Sequence, residues 1–232
     1  MTASAPPAPA QKRRAKTIAL LGAESTGKSR LAHDLASALS QRGLRAVAVP
    51  EVLRAWCERE GRTPRPEEQL AIAREQEHCV DVAAGDHDVV IADTTALMVA
   101  IYAGMLFPDG PLLRLAVERQ RSYDATLVTG LDLPWVADGL QRDAAQPREE
   151  VDTLVRTLLQ SAQVPYQVVY GSGEQRVEAA LTALASAGVL PPDMRKRAPD
   201  ADTRRAWHWS CEKCSDPACE HRLFTQLREA RD

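Results

Sequence analysis

The segment Gly22-Ala23-Glu24-Ser25-Thr26-Gly27-Lys28-Ser29 satisfies GxxxxGK[ST] at every position. It lies between the apolar run Thr17-Ile18-Ala19-Leu20-Leu21 and a helical stretch from Ser29 to Gln41, the strand-loop-helix setting that the motif requires. The glycines let the backbone turn close to a phosphate, so that successive N–H groups and the helix N-terminus face its negative charge. In this phosphate-binding P-loop, Lys28 is expected to reach the β- and γ-phosphates, and Ser29 to coordinate Mg²⁺ through its hydroxyl. The competing reading is a glycine-rich strand-to-helix turn that binds nothing. The complete motif in its proper context favours nucleotide binding, yet kinases, ATPases and GTP-controlled switches share the same cradle.

The rest of the chain repeats the strand-helix alternation. Ala46-Val47-Ala48-Val49, Asp88-Val89-Val90-Ile91-Ala92, Ala125-Thr126-Leu127-Val128-Thr129 and Tyr166 to Tyr170 read as further strands. Helical patterns cover 54–60, 66–84, 95–105, 112–121 and 149–162, with a last helix running to about Ala187. The nearly unbroken apolar centre of the third strand predicts a middle position in a sheet covered on both faces. The expected architecture is a three-layer α/β P-loop NTPase with a mostly parallel five-stranded sheet and a small cysteine-rich C-terminal appendage. The expected divisions are a flexible tail over 1–16, the P-loop domain over 17–190, a proline-containing linker over 191–205 and the cysteine-rich tail over 206–232. Residues 130–148, rich in charge and turn formers, form a candidate mobile lid.

Two acidic positions fall at the carboxyl ends of predicted strands, where open parallel sheets bind ligands. Asp93 is placed to coordinate Mg²⁺ directly or through water; its alternative is an N-cap for the helix that follows. Glu51 can orient or deprotonate an acceptor hydroxyl, with Arg54 one turn away positioning it or an anion. As a plain acid at a helix N-terminus, Glu51 would have no such duty.

These positions also form an ordered set that resembles the nicotinamide riboside kinase domain of bacterial NadR proteins, over about Thr17 to Leu184. The loop is similar to Gly-x-Glu-Ser-x-Gly-Lys-Ser, Glu51 and Arg54 to its Glu-x-x-Arg, Ile72 to Gln76 to its Ile-Ala-x-x-Gln, and Asp93-Thr94 to its Asp-Thr. Pro134-Trp135-Val136-Ala137-Asp138-Gly139-Leu140-Gln141-Arg142 is similar to a Pro-Trp-x-x-Asp-Gly-x-Arg lid, and Tyr170-Gly171-Ser172 to the turn beside the adenine. The resemblance implies ATP- and Mg²⁺-dependent transfer of the γ-phosphoryl group to the 5′-hydroxyl of nicotinamide riboside. It assigns Glu51 as hydroxyl base, Arg54 as positioning group, Gln76 to the nucleoside or the order of its pocket, Trp135 to an aromatic wall, and Asp138 to ribose or the lid. Gly171 and Ser172 join the ATP site, and Arg142 and Arg148 enter from the lid to offset developing charge. Two departures stand out: Thr95 replaces an expected Asp or Asn, and Arg142 is displaced by one residue. No adenylyltransferase or DNA-binding domain fits before Thr17.

Composition constrains partners. A net charge of -3 gives no global footprint for nucleic acid, although Lys12, Arg13, Arg14 and Lys16 cluster near the start. Without a bilayer-length apolar run or a secretory pattern, the expected location is cytoplasmic. Cys57 and Cys79 read as buried or half-buried thiols in helices. Cys211, Cys214, Cys219 and His221 could hold a structural Zn²⁺ as an S₃N set; a reduced tail packed through Trp207, Trp209, Leu223 and Phe224 is the alternative. Arg204-Arg205 with Trp207-His208-Trp209 leaves nucleic-acid contact open there, against a nearly balanced charge. Besides the nicotinamide riboside kinase, two functions fit the residues: a kinase for another nucleoside or small metabolite, and an ATP-controlled binding or regulatory module.

Overall fold

The computed structural model describes residues 14–106, 110–135 and 148–191. All of them fall in the first of the two units into which the chain divides, Met1–Arg195. In chain order the elements are β1 (Lys16–Leu21), α1 (Lys28–Ser40), β2 (Ala46–Val49), α2 (Val52–Glu60), α3 (Pro66–Asp86) and β3 (Val89–Asp93). There follow α4 (Ala96–Leu106), α5 (Gly110–Ser122), β4 (Ala125–Thr129), α6 (Arg148–Ser161), β5 (Gln167–Val169) and α7 (Gly173–Ser186). Every strand pairing is parallel, and the sheet order is β2-β3-β1-β4-β5.

Strand alternation divides the core into two layers. Ile18 and Leu20, Val89 and Ile91, Leu127 and Val169 point toward α1 and α7. Leu21 and Val128 point to the opposite face, covered by residues of α2, α3, α4 and α6. As the unbroken apolar run implied, β3 lies between β2 and β1 and is buried along its whole length. Helix α4 is apolar on every side because α3, α5 and α6 surround it. The apolar spacing of α3 predicts a face of Leu70, Ala73, Val80 and Ala84, and the buried face differs from it. Gln69, Gln76 and Glu77 are buried beside Ile72, Ala73 and Val80, while Leu70 and Ala84 are only half-buried. Tertiary hydrogen bonds outweigh apolar character at two of these three positions. Gln76 and Glu77 bond to other elements, whereas Gln69 donates to Pro64 O at 3.4 Å and leaves its own Oε1 unpaired.

The basic N-terminal cluster is partly anchored. Arg14 and Lys16 pair with Asp124 at 2.8 and 3.0 Å, and Asp124 also accepts the Thr17 N–H. Lys12 and Arg13 lie outside the described residues. Cys57 is buried in α2 and Cys79 half-buried in α3. No helix among the described residues is long and apolar enough to cross a membrane.

Candidate active site

The loop between β1 and α1 takes its shape from three backbone demands. Gly22 has φ 142°, and a Cβ there would collide with the Thr129 hydroxyl on β4. Gly27, in the left-handed region at φ 74°, caps the N-terminus of α1 and aims its first N–H groups into the loop. Ser25 also has positive φ, at 52°. A buried hydroxyl pair braces the turn. Thr26 Oγ1 lies 2.7 Å from both Ala23 O and Thr129 Oγ1, and Thr129 Oγ1 lies 3.1 Å from Leu21 O. The two hydroxyl protons can fill two of these three short contacts at a time, and together the contacts tie β1, the loop and β4 into one network.

Lys28 is buried, and its Nζ donates to Ala23 O at 2.7 Å. Burial holds its ammonium below the ordinary lysine value, opposed by Glu51, Asp93 and Glu24 in that order. Those three acids come from the ends of β2 and β3 and from the loop itself, so the strand-end residues singled out in the sequence converge on one point. Glu51 is 9% exposed and stands at the N-terminus of α2. Its carboxyl is raised above the usual range, chiefly by burial; Lys28 and Arg54 oppose the shift, and Asp93 and Glu24 add to it.

Arg54 bridges two predicted site residues, pairing with Glu51 at 2.8 Å and donating to Ser29 Oγ at 3.1 Å. Gln76 acts on backbone: its Oε1 accepts from Val52 N at 2.8 Å and its Nε2 donates to Pro50 O at 3.4 Å. Both peptides flanking Glu51 are thus held by one amide from α3.

Asp93 is 4% exposed, and its Oδ1 has no hydrogen-bond partner. The alternative role as cap of α4 falls to other groups. Thr95 Oγ1 accepts the Leu97 N–H at 3.2 Å, and Glu77 Oε1 accepts that of Ala96 at 2.8 Å. A buried carboxylate oxygen without a donor, on a strand adjacent to β1, suits a hard cation, and the Ser29 hydroxyl supplies a second oxygen. The residues therefore fit Mg²⁺. No group of three or more His, Cys, Asp or Glu side chains poised for a metal occurs among the described residues. Cys211, Cys214, Cys219 and His221 lie outside them, as do Asp138 and Arg142.

The opposite side of the loop is built from the ends of β4 and β5. Asp132 accepts the Gly171 N–H at 2.6 Å, and Tyr170 packs over Gly130 so closely that a Cβ on Gly130 would strike its ring. Ser172 leads into α7, Trp135 is 54% exposed, and Tyr170 is 55% exposed. Arg148 begins α6; Nη1 donates to Leu133 O at 3.0 Å, while Nε and Nη2 are buried without partners. Sequence reasoning missed Arg176, which is 3% exposed on α7 and directed at Gly27. Its signal was available: it is the one basic residue of α7, in phase with buried Ala180 and Leu184.

Comparison with known proteins bears on the family and the fold. A protein-family model described as an AAA domain matches residues 17–176. No curated protein matches by sequence. Among solved structures, the chain is similar to a NadR protein in complex with NR, at TM-score 0.61 and 17% identity over 76% of this chain and 51% of that one. It is also similar to a NadR protein in complex with NAD and AMP-PNP, at TM-score 0.58 and 17% identity over 76% of this chain and 50% of that one. A thymidylate kinase from Ehrlichia chaffeensis aligns at TM-score 0.51 and 14% identity, over 75% of this chain and 99% of that one. The chain spans about half the length of the NadR chains, and at these identities the likeness is one of fold. With the complete phosphate loop, the parallel sheet and a family match over most of its length, the chain belongs to the AAA-domain family and has an α/β P-loop kinase-like fold.

Proposed function

We propose that the protein is an ATP-dependent small-molecule kinase that phosphorylates the 5′-hydroxyl of nicotinamide riboside. The observation that carries this reading is the meeting of Lys28, Glu51 and Asp93 at one sheet edge, with Arg54 and Gln76 fixing Glu51 from both sides. A simple switch needs the phosphate cradle but no buried carboxylate with a raised proton affinity beside it. In phosphoryl transfer the protein mainly positions the reactants and offsets charge. Lys28 and the N–H groups of α1 neutralise the phosphate oxygens, and Glu51 accepts the proton of the attacking hydroxyl while Arg54 steadies its carboxylate. Ser29 and Asp93 would hold Mg²⁺, which would supply positive charge against the phosphates. Arg148, at the root of the lid segment, has two N–H groups available for the transferring phosphoryl group.

A second reading, a kinase for another nucleoside or a small phosphorylated metabolite, has an observation of its own: the thymidylate kinase is matched over 99% of its length. The decisive test is Mg²⁺-dependent ADP formation by the full chain with nicotinamide riboside, a panel of nucleosides and nucleotides, and no acceptor. Stimulation specific to nicotinamide riboside supports the first reading, and stimulation by another acceptor transfers support to the second. ATP binding without stimulation by any acceptor points instead to an ATP-controlled module.

A further inference from the structure

Arg176 is 3% exposed, and its contacts do not satisfy it. Its Nη2 approaches Gly130 O and Val169 O at 3.5 and 3.4 Å, and Asp132 at 3.5 Å, all long for a charge-assisted bond. Nε and Nη1 have no partner at all. Burial pulls the guanidinium below its ordinary value, with Asp132 opposing, yet arginine keeps its proton in proteins. A buried cation in this condition costs free energy unless something completes it.

Its direction indicates what does. Nη1 lies 3.5 Å from the position a Cβ would take on Gly27, and the neighbouring contact is Leu133 Cδ1 at 3.0 Å. Gly27 caps α1, whose N-terminus carries positive partial charge and unpaired N–H groups. The Lys28 ammonium follows directly. A buried guanidinium beside the capping residue of a helix N-terminus is an unfavourable arrangement by itself and a favourable one around a polyanion. A guanidinium serving only as a brace between Gly130 and Val169 would use Nη2 alone, and would not need Nη1 beside Gly27.

We propose that Arg176 is a further nucleotide-binding residue, whose Nε and Nη1 hydrogens bond the phosphate chain at the Gly27 side of the loop. The inference rests on the ATP-binding reading above. It makes α7 part of the phosphate site and accounts for its single basic residue.

The test is titration calorimetry of the full chain, in Mg²⁺, with ATP, inorganic tripolyphosphate and adenosine, on wild type, Arg176→Met and Arg176→Lys. A charge-assisted bond predicts that Arg176→Met weakens ATP and tripolyphosphate alike, by about 10- to 100-fold, and leaves adenosine unchanged. Arg176→Lys should recover part of the loss. Circular dichroism and a urea midpoint restrict the comparison to folded protein; if Arg176→Met fails to fold, Arg176→Lys against wild type with tripolyphosphate decides alone, since a lysine cannot supply the bidentate fork. Unchanged tripolyphosphate affinity overturns the proposal, as does a loss confined to adenosine and ATP. Wild type that binds neither ATP nor tripolyphosphate overturns the ATP reading and this inference with it, whereas normal wild-type binding with an indifferent Arg176→Met overturns this inference alone.

Discussion

At the scale of single residues the site depends on charges held out of water. Raising the proton affinity of Glu51 by burial brings it toward the range where a carboxylate accepts a proton effectively. The acid limb of the kcat/KM profile should therefore fall above the ordinary carboxylate range, and Glu51→Gln should abolish that limb while lowering kcat about 10²- to 10⁴-fold. A stability effect follows with a definite sign. A folded carboxyl with a raised value holds more protons than the unfolded one between the two values, so stability falls as pH rises through that window. Melting temperatures over a pH series should show this fall in wild type and its absence in Glu51→Gln. Lys28 behaves oppositely: its lowered value makes stability rise with pH between the folded value and the ordinary lysine value. Gly22 makes a separate, steric prediction. With φ 142° and the Thr129 hydroxyl where a Cβ would go, Gly22→Ala should destabilise the fold by about 1–3 kcal/mol and disrupt phosphate binding, read by urea denaturation and nucleotide titration.

Among the elements, α4 shows how a helix with no polar face is kept in place. Glu77 of α3, 4% exposed, accepts the Ala96 N–H at the start of α4 and holds Arg119 and Tyr123, each at 3.0 Å. One carboxylate thus joins α3, α4, α5 and the turn before β4. Thr95 completes the junction by capping α4 and donating to Gln120 at 2.7 Å, which in turn donates to Thr126. This gives a physical meaning to the departure at Thr95: where the resemblance anticipated Asp or Asn, the hydroxyl is committed to the helix start. Glu77→Ala leaves buried donors without an acceptor and should cost about 3–5 kcal/mol in a chemical denaturation experiment. Glu77→Gln, which keeps an acceptor oxygen, should cost less. Both should leave the affinity of the folded fraction for ATP near that of wild type, because none of these bonds reaches the loop.

For the whole molecule, the topology creates the site. The order β2-β3-β1-β4-β5 sends the chain from β1 to one side for β2 and β3 and then to the other for β4, so the P-loop sits at the reversal, flanked by the ends of β3 and β4. A ligand bound there contacts both halves of the sheet and resists unfolding of either. Saturation with Mg²⁺ and ATP at 100 times Kd should raise the unfolding free energy by about 2.7 kcal/mol. Lys28→Ala should abolish the gain, measured as a shift in urea midpoint with and without nucleotide.

The sequence determined the alternation of strands and helices, because apolar runs and helical spacing are local patterns that the backbone obeys locally. All five strands agree with their predicted positions within a residue or so, and the phosphate loop was legible outright, since its chemistry is carried by eight consecutive residues. Glu51 and Asp93 were legible as strand-end acids. Tertiary structure decided what each acid is free to do: Asp93 keeps an unpartnered oxygen because Thr95 and Glu77 take over the start of α4. It also decided that Gln76 braces Glu51 through peptides 26 and 24 residues away, and that Arg176, 149 positions beyond Gly27, faces the loop. Such pairings arise when separate strands and helices pack, and the pattern of any one segment carries no record of which distant groups will stand opposite it.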